Sequence, residues 1–181
     1  YTSDGGEVLT IEATLSRGRG ELVLTGQLGE VMQESASTAW GHLLAYAEHD
    51  PQLRRLVASS PFLTADGLDL STQDVRVHVP EGAVPKDGPS AGLALATAML
   101  SALARTPVRP RVAMTGEITL GGRILRVGGL KEKLLAAARS GVRTVVLPAA
   151  NRGTIEELPH ELTARLDLVY VANLREALPH V

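Results

Sequence analysis

The stretch Asp74-Val-Arg-Val-His-Val-Pro-Glu-Gly-Ala-Val-Pro-Lys-Asp-Gly-Pro-Ser-Ala-Gly92 decides how the chain is read. Asp74–Val79 alternates apolar and polar residues as a half-buried strand does. Pro80–Pro89, with two glycines and three prolines, is a loop. Ser90–Arg105, built mostly of Ala, Gly, Leu and Met, is a helix with small residues on every face, which predicts tight packing on several sides. A proline-fixed loop thus delivers Ser90 to the first turn of a helix. Unpaired backbone N–H groups and a partial positive charge gather there. An oxyanion formed by serine attack on a carbonyl would be stabilised at such a place, and Gly88 and Gly92 leave room for a substrate backbone. The plainer reading is that Ser90 is an ordinary N-cap.

Working outward, Glu7–Leu15 and Glu21–Thr25 read as a hairpin across Ser-Arg-Gly-Arg-Gly at 16–20. Glu30–Ala47 is an amphipathic helix, with Met32, Ala36, Trp40, Leu43 and Ala47 at helical spacing. The segment from His49 to Thr72 is broken by Pro51, Pro61 and Asp66-Gly67, with a short helix over Leu53–Val57. Arg111–Leu125 reads as two strands around Gly121-Gly122, and Leu130–Ser140 as a helix ended by Gly141. Arg143–Leu147 is a buried strand, Asn151 caps a helix through Leu158, Leu166–Val171 is a last strand and Leu174–Leu178 a helical turn. The fold class is α/β (α+β), one domain over 1–181, a size that can bury a sizeable core.

Composition excludes several functions. Net charge is −2 with few aromatics, which argues against a nucleic-acid partner: such proteins present a basic face and stacking platforms. The absence of cysteine rules out disulfides, thiolate catalysis and Cys-ligated metal. The longest apolar stretch, Ala91–Leu100, has ten residues and does not predict a membrane span. A cytoplasmic location is the expectation.

Of 18 basic residues only Lys86, Lys131 and Lys133 are lysine, and all three fall in the serine loop or in Gly128-Gly-Leu-Lys-Glu-Lys-Leu-Leu135. Arginine holds its proton near neutral pH, whereas a buried lysine can lose it. Lys131 and Lys133 point nearly opposite ways on a helix, so one of them faces any given site; periodicity does not choose between them. Three functions compete at this point. Gly88-Pro-Ser-Ala-Gly92 matches a nucleophile elbow, for which Asp167 and His180 would complete a triad, but the elbow needs a sharp strand-to-helix turn. The loop could instead cradle a phosphate, or Ser90 could work with a lysine base.

Three long motifs in order, Val77 through Gly92, Met114-Thr-Gly-Glu-Ile-Thr-Leu120 and Val127-Gly-Gly-Leu-Lys-Glu-Lys-Leu-Leu135, closely resemble the proteolytic domain of the ATP-dependent Lon proteases, bacterial and mitochondrial type. Leu28-Gly-Glu-Val-Met-Gln-Glu-Ser35 resembles the family's stretch near the start of that domain. The resemblance covers nearly the whole chain. It implies a serine endopeptidase with a Ser–Lys dyad, Ser90 as nucleophile and Lys133 as base. It also implies Thr115 as the residue that helps hold the lysine, and Asp87 in a pre-serine segment that folds over the serine in inactive forms. The fold it implies is ribosomal protein S5 domain 2-like. The partners it implies are unfolded polypeptides and five further copies in a homo-hexamer. ATP and Mg would be bound by an ATPase module outside this chain, which itself needs no cofactor. Leu28–Glu34 is expected to shape the pocket beside the scissile bond, and His78 to be structural. The stretch between Ser35 and His78 looks longer than the family's.

Overall fold

A computed structural model of the chain describes residues 5–47, 49–81 and 84–181; part of the loop expected at 80–89 therefore lies outside the described residues. Two strands, β1 (Glu12–Arg17) and β2 (Leu22–Thr25), lead into helix α1 (Glu30–Tyr46). The short helix α2 (Pro51–Leu56) and the small ribbon β3 (Leu63–Thr64) and β4 (Gly67–Leu68) follow, then strand β5 (Gln73–His78). Helix α3 (Gly92–Ala104) precedes β6 (Val112–Met114) and the hairpin β7 (Glu117–Ile118) and β8 (Ile124–Leu125). Helix α4 (Leu130–Arg139) leads to β9 (Thr144–Pro148), the short helices α5 (Arg152–Glu156) and α6 (His160–Thr163), β10 (Asp167–Val171) and α7 (Leu174–Ala177). This is the mixed α/β architecture that the sequence predicts. None of the helices among the described residues is long and apolar enough to cross a membrane.

The predicted β1–β2 hairpin does not form. β5 inserts between the two, antiparallel to β1 and parallel to β2, giving the order β1-β5-β2. The reason lies in the 16–20 loop: the Asp74 carboxylate of β5 accepts hydrogen bonds from the N–H of Arg19 (2.7 Å) and of Glu21 (3.1 Å). A Cβ on Gly18 would collide with that carboxyl group, so glycine there lets the loop wrap the Asp74 side chain without displacing it. These donors hold the Asp74 carboxyl below the usual carboxylate range.

The second sheet, β10-β9-β6, is parallel with β9 in the centre. Side chains alternate across it. Val112, Met114, Val146, Val169 and Val171 join one core with α1, α3 and the first sheet. Val145, Leu147, Leu168 and Tyr170 join a second core with Leu130, Leu134 and Ala137 of α4. Helices α1 and α3 thus pack between the two sheets, and α4 covers the far face of the second. α3 is buried over most of its surface, from Leu93 through Leu103, with Ala94, Ala98 and Ala102 along one half-buried stripe; this follows from its position and its small residues. In α1, Met32, Ala36, Trp40, Leu43 and Ala47 are all buried, as their spacing predicts. α4 ends as predicted: Gly141 takes a positive φ of 74°, and the N–H of Val142 bonds back to the carbonyl of Ala137 (3.1 Å).

Two local expectations need correction. Pro51 begins α2 at its first turn rather than breaking the chain, because Asp50 caps it through the N–H groups of Gln52 (2.9 Å) and Leu53 (3.1 Å). Asn151 does not cap α5 with its side chain; its amide reaches across to Val127 instead.

Candidate active site

Ser90 occupies a single 3-10 turn, Pro89–Ala91, that runs into α3. No side chain caps this turn or α3, so Ser90 is not the N-cap that its residue type would suggest. The turn is fixed from three sides. The Ser90 carbonyl accepts the N–H of Gly116 (2.8 Å) and the hydroxyl of Thr115 (3.2 Å). The N–H of Leu93 bonds to the carbonyl of Gly116 (2.9 Å), and the Ser35 hydroxyl of α1 donates to the Pro89 carbonyl (3.3 Å). Gly92 is the point of closest approach: a Cβ there would lie 2.9 Å from Ile118 and from the Ser35 oxygen. Gly92 therefore serves helix packing, not a substrate backbone. Gly88 is different, with a φ of +113° and open space where a side chain would stand.

The segment before the serine is anchored by two of its charged residues, Lys86 and Asp87. Lys86 is buried, and its ammonium donates to the carbonyls of Gly26 (3.0 Å), Glu81 (2.8 Å) and Val84 (3.0 Å). Three acceptors use all three protons, which makes this lysine a clamp rather than a base. Its backbone pairs with the run before α1, through Lys86 N–H to Gln27 (3.0 Å) and Gly29 N–H to Lys86 (2.7 Å). Asp87 turns toward the start of α1: its carboxylate accepts the N–H of Met32 (2.9 Å) and of Gly88 (2.8 Å). It acts as a helix cap supplied from a distant segment, which Gly29 cannot provide for itself.

Lys133 enters the same place from the second core. It lies one turn into α4, half-buried, while Lys131 on the same helix is exposed. Its Nζ donates to the Thr115 hydroxyl (3.2 Å). Thr115 has one proton and gives it to the Ser90 carbonyl, so toward Lys133 it acts only as acceptor. Burial lowers the Lys133 amine below the ordinary lysine value of 10.5. Ser90, Thr115 and Lys133 line one cavity of about 400 Å³. Its remaining walls are mostly apolar, including Met32, Ala94, Ala113, Met114, Ala137 and Val145.

Of the expected pocket stretch Leu28–Glu34, Met32 lines this cavity. Glu7–Ile11, read from sequence as part of a strand, has no strand pairing and forms one lip of the cavity. No sequence signal distinguishes such a lip from a strand, because its residues have the same β-rich composition. The other candidates lie elsewhere. Asp167 pairs with Arg143 (3.6 Å), His180 is exposed near the chain's end, and neither lines the cavity. His78 bonds the Thr25 hydroxyl (2.7 Å) at the first sheet.

A family model described as the Lon protease (S16) C-terminal proteolytic domain matches residues 1–181. Among curated relatives, a Lon protease of Xanthomonas oryzae pv. oryzae is 50% identical over 178 residues, covering 98% of this chain and 19% of that protein. One from Aquifex aeolicus is 51% identical over 180 residues, 97% of this chain and 21% of its own length. One from Chloroflexus aggregans is 48% identical over 182 residues, 98% and 20% respectively. The chain spans about a fifth of the length of these relatives.

Proposed function

The chain belongs to the Lon protease (S16) family as a C-terminal proteolytic domain, and on that premise we propose that it is a serine endopeptidase unit in which Ser90 is the nucleophile and Lys133 the general base. One observation carries the reading: a half-buried lysine with a lowered pKa shares a cavity with Ser90 and is tied to its carbonyl through Thr115.

In the neutral form, Lys133 Nζ takes the proton of Ser90 Oγ as that oxygen attacks the scissile carbonyl carbon. Backbone N–H groups at the turn around Ser90 hold the resulting oxyanion. The tetrahedral species collapses, the ammonium of Lys133 protonates the leaving amine, and an ester links the substrate to Ser90. Water then attacks that ester, with the neutral amine again as base. Thr115 keeps the lysine oriented, and Asp87 and Lys86 hold the approach to the serine.

The relatives are named as whole proteases, and their length leaves room for further modules. We read the whole protein as ATP-dependent, with ATP and Mg bound by an ATPase module outside this chain. That module would feed unfolded polypeptides to a homo-hexamer in the cytoplasm.

The test is covalent labelling and turnover. A fluorophosphonate or peptide boronate should modify Ser90, and Ser90→Ala and Lys133→Met should each abolish cleavage of an unstructured peptide. Full activity in Lys133→Met would refute the dyad. His180→Ala should cleave like the parent; its inactivity would restore the triad reading.

A further inference from the structure

We propose that Asn151 is a positioning residue for Lys133: its side-chain amide, by clamping Val127, fixes where α4 begins and therefore where the Lys133 amine comes to rest against Thr115. The inference rests on the dyad reading for its catalytic consequence, but not for its geometry.

Leu130 and Leu134 pack α4 into the second core, and its first turn lacks a capping side chain. Its N-cap is Gly129, with a left-handed φ of 66° and no side-chain cap. The first helical hydrogen bond runs from the N–H of Lys133 itself to the Gly129 carbonyl (3.0 Å). Two residues earlier, Val127 is gripped on both sides. Its N–H donates to Asn151 Oδ1 (2.9 Å), and its carbonyl accepts from Asn151 Nδ2 (2.9 Å). Asn151 is 1% exposed, so its amide has these two bonds rather than solvent to satisfy it. An amide that both donates and accepts mimics a strand neighbour, and it fixes a backbone segment in two directions at once.

The position of the clamp matters more than its strength. Asn151 closes the 3-10 turn directly after β9. The same strand accepts the N–H of Thr115 on the carbonyl of Val146 (3.0 Å). One strand therefore sets both ends of the Lys133–Thr115 hydrogen bond, Thr115 through its main chain and Lys133 through Asn151, Val127 and the first turn of α4. Lys133 is partly buried only while α4 is held at this height on the sheet. Among the described residues, Glu7 on the lip is the other charged side chain lining the cavity; Lys131 and Glu132 lie beside Lys133 on α4, and α6, packed against α4, carries His160 and Glu161; β6, β9 and the turn of Ser90 present uncharged side chains to the cavity.

The test uses the fact that the chain has three lysines. Lysine labelled with 13C at Cε gives three signals, assignable by substitution, that can be titrated in a Ser90→Ala background without any turnover. In that parent the Lys133 midpoint lies below 10.5. In Asn151→Ala it should move up toward that value. In the Ser90-containing protein, Asn151→Ala should lower kcat at neutral pH by about 10–100-fold and move the acid limb of the pH–rate profile to higher pH, with KM nearly unchanged. Asn151→Ser is uncharged and can serve at most one of the two Val127 bonds, so it should show the same shifts to a smaller degree. It also decides the matter should Asn151→Ala fail to fold. An unmoved Lys133 midpoint in a folded variant overturns the proposal, as does loss of fold in both variants, since Asn151 would then hold the whole chain rather than one helix start. Full cleavage by Lys133→Met would sink the dyad reading, yet the titration would still test the clamp.

Discussion

Lys133 is held at a cost that its chemistry explains. Its folded-state pKa is lowered by burial, whereas in the unfolded chain the amine is solvated and ordinary. Between the folded value and 10.5 the unfolded chain binds more protons, so stability rises with pH across that window and is lost as pH falls through the folded value. Lys133→Met removes this dependence. It should raise the melting temperature at neutral pH while abolishing cleavage, as calorimetry beside a peptide assay would show. On the proposed dyad, cleavage by the parent should climb with pH through the folded pKa of Lys133, because only the neutral amine could accept the serine proton. Gly92 offers the opposite case, a residue whose smallness serves packing. Its missing Cβ makes way for Ile118 and Ser35. Gly92→Ala should cost about 1–3 kcal/mol in chemical denaturation, and cleavage should fall as the serine turn is pushed from β7.

At the scale of elements, most helices were legible because their apolar spacing or caps are written locally. α1 and α4 follow their stripes, and Gly141 marks the end of α4. Strand pairing was not legible in the same way. Nothing in Glu7–Thr25 says that β5, some fifty residues on, will displace β2 from β1; the information sits in Asp74, a single carboxylate read by a loop. The site shows a similar division. The serine and lysine motifs could be picked out, but periodicity left Lys131 and Lys133 equal. What separates them is tertiary: the second sheet and Thr115 lie on one side of α4 only. Asn151 looked like a cap because its residue type caps helices, and the identity of its real partner depends on a contact 24 residues away in the chain. Asp50 is a cap in fact. Asp50→Ala should lower stability by about 1 kcal/mol through the lost bonds to Gln52 and Leu53, measured by urea unfolding, and should leave cleavage as it was.

For the whole molecule, the alternating faces of β9 matter most. Val146 belongs to the core that carries the serine helix, and Val145 and Leu147 to the core that carries the lysine helix. The proposed Ser90–Lys133 pair therefore spans two separately packed interiors, and an assay of the pair reports on both. In a urea series, fluorophosphonate labelling of Ser90 should disappear with whichever interior opens first, even where circular dichroism still shows most of the helix content. Persistent labelling after α4 has come away would contradict this. During synthesis the consequence is protective. On the proposed dyad, Ser90 leaves the ribosome 43 residues ahead of Lys133, so until Lys133 follows the polypeptide carries an alcohol with no base to activate it.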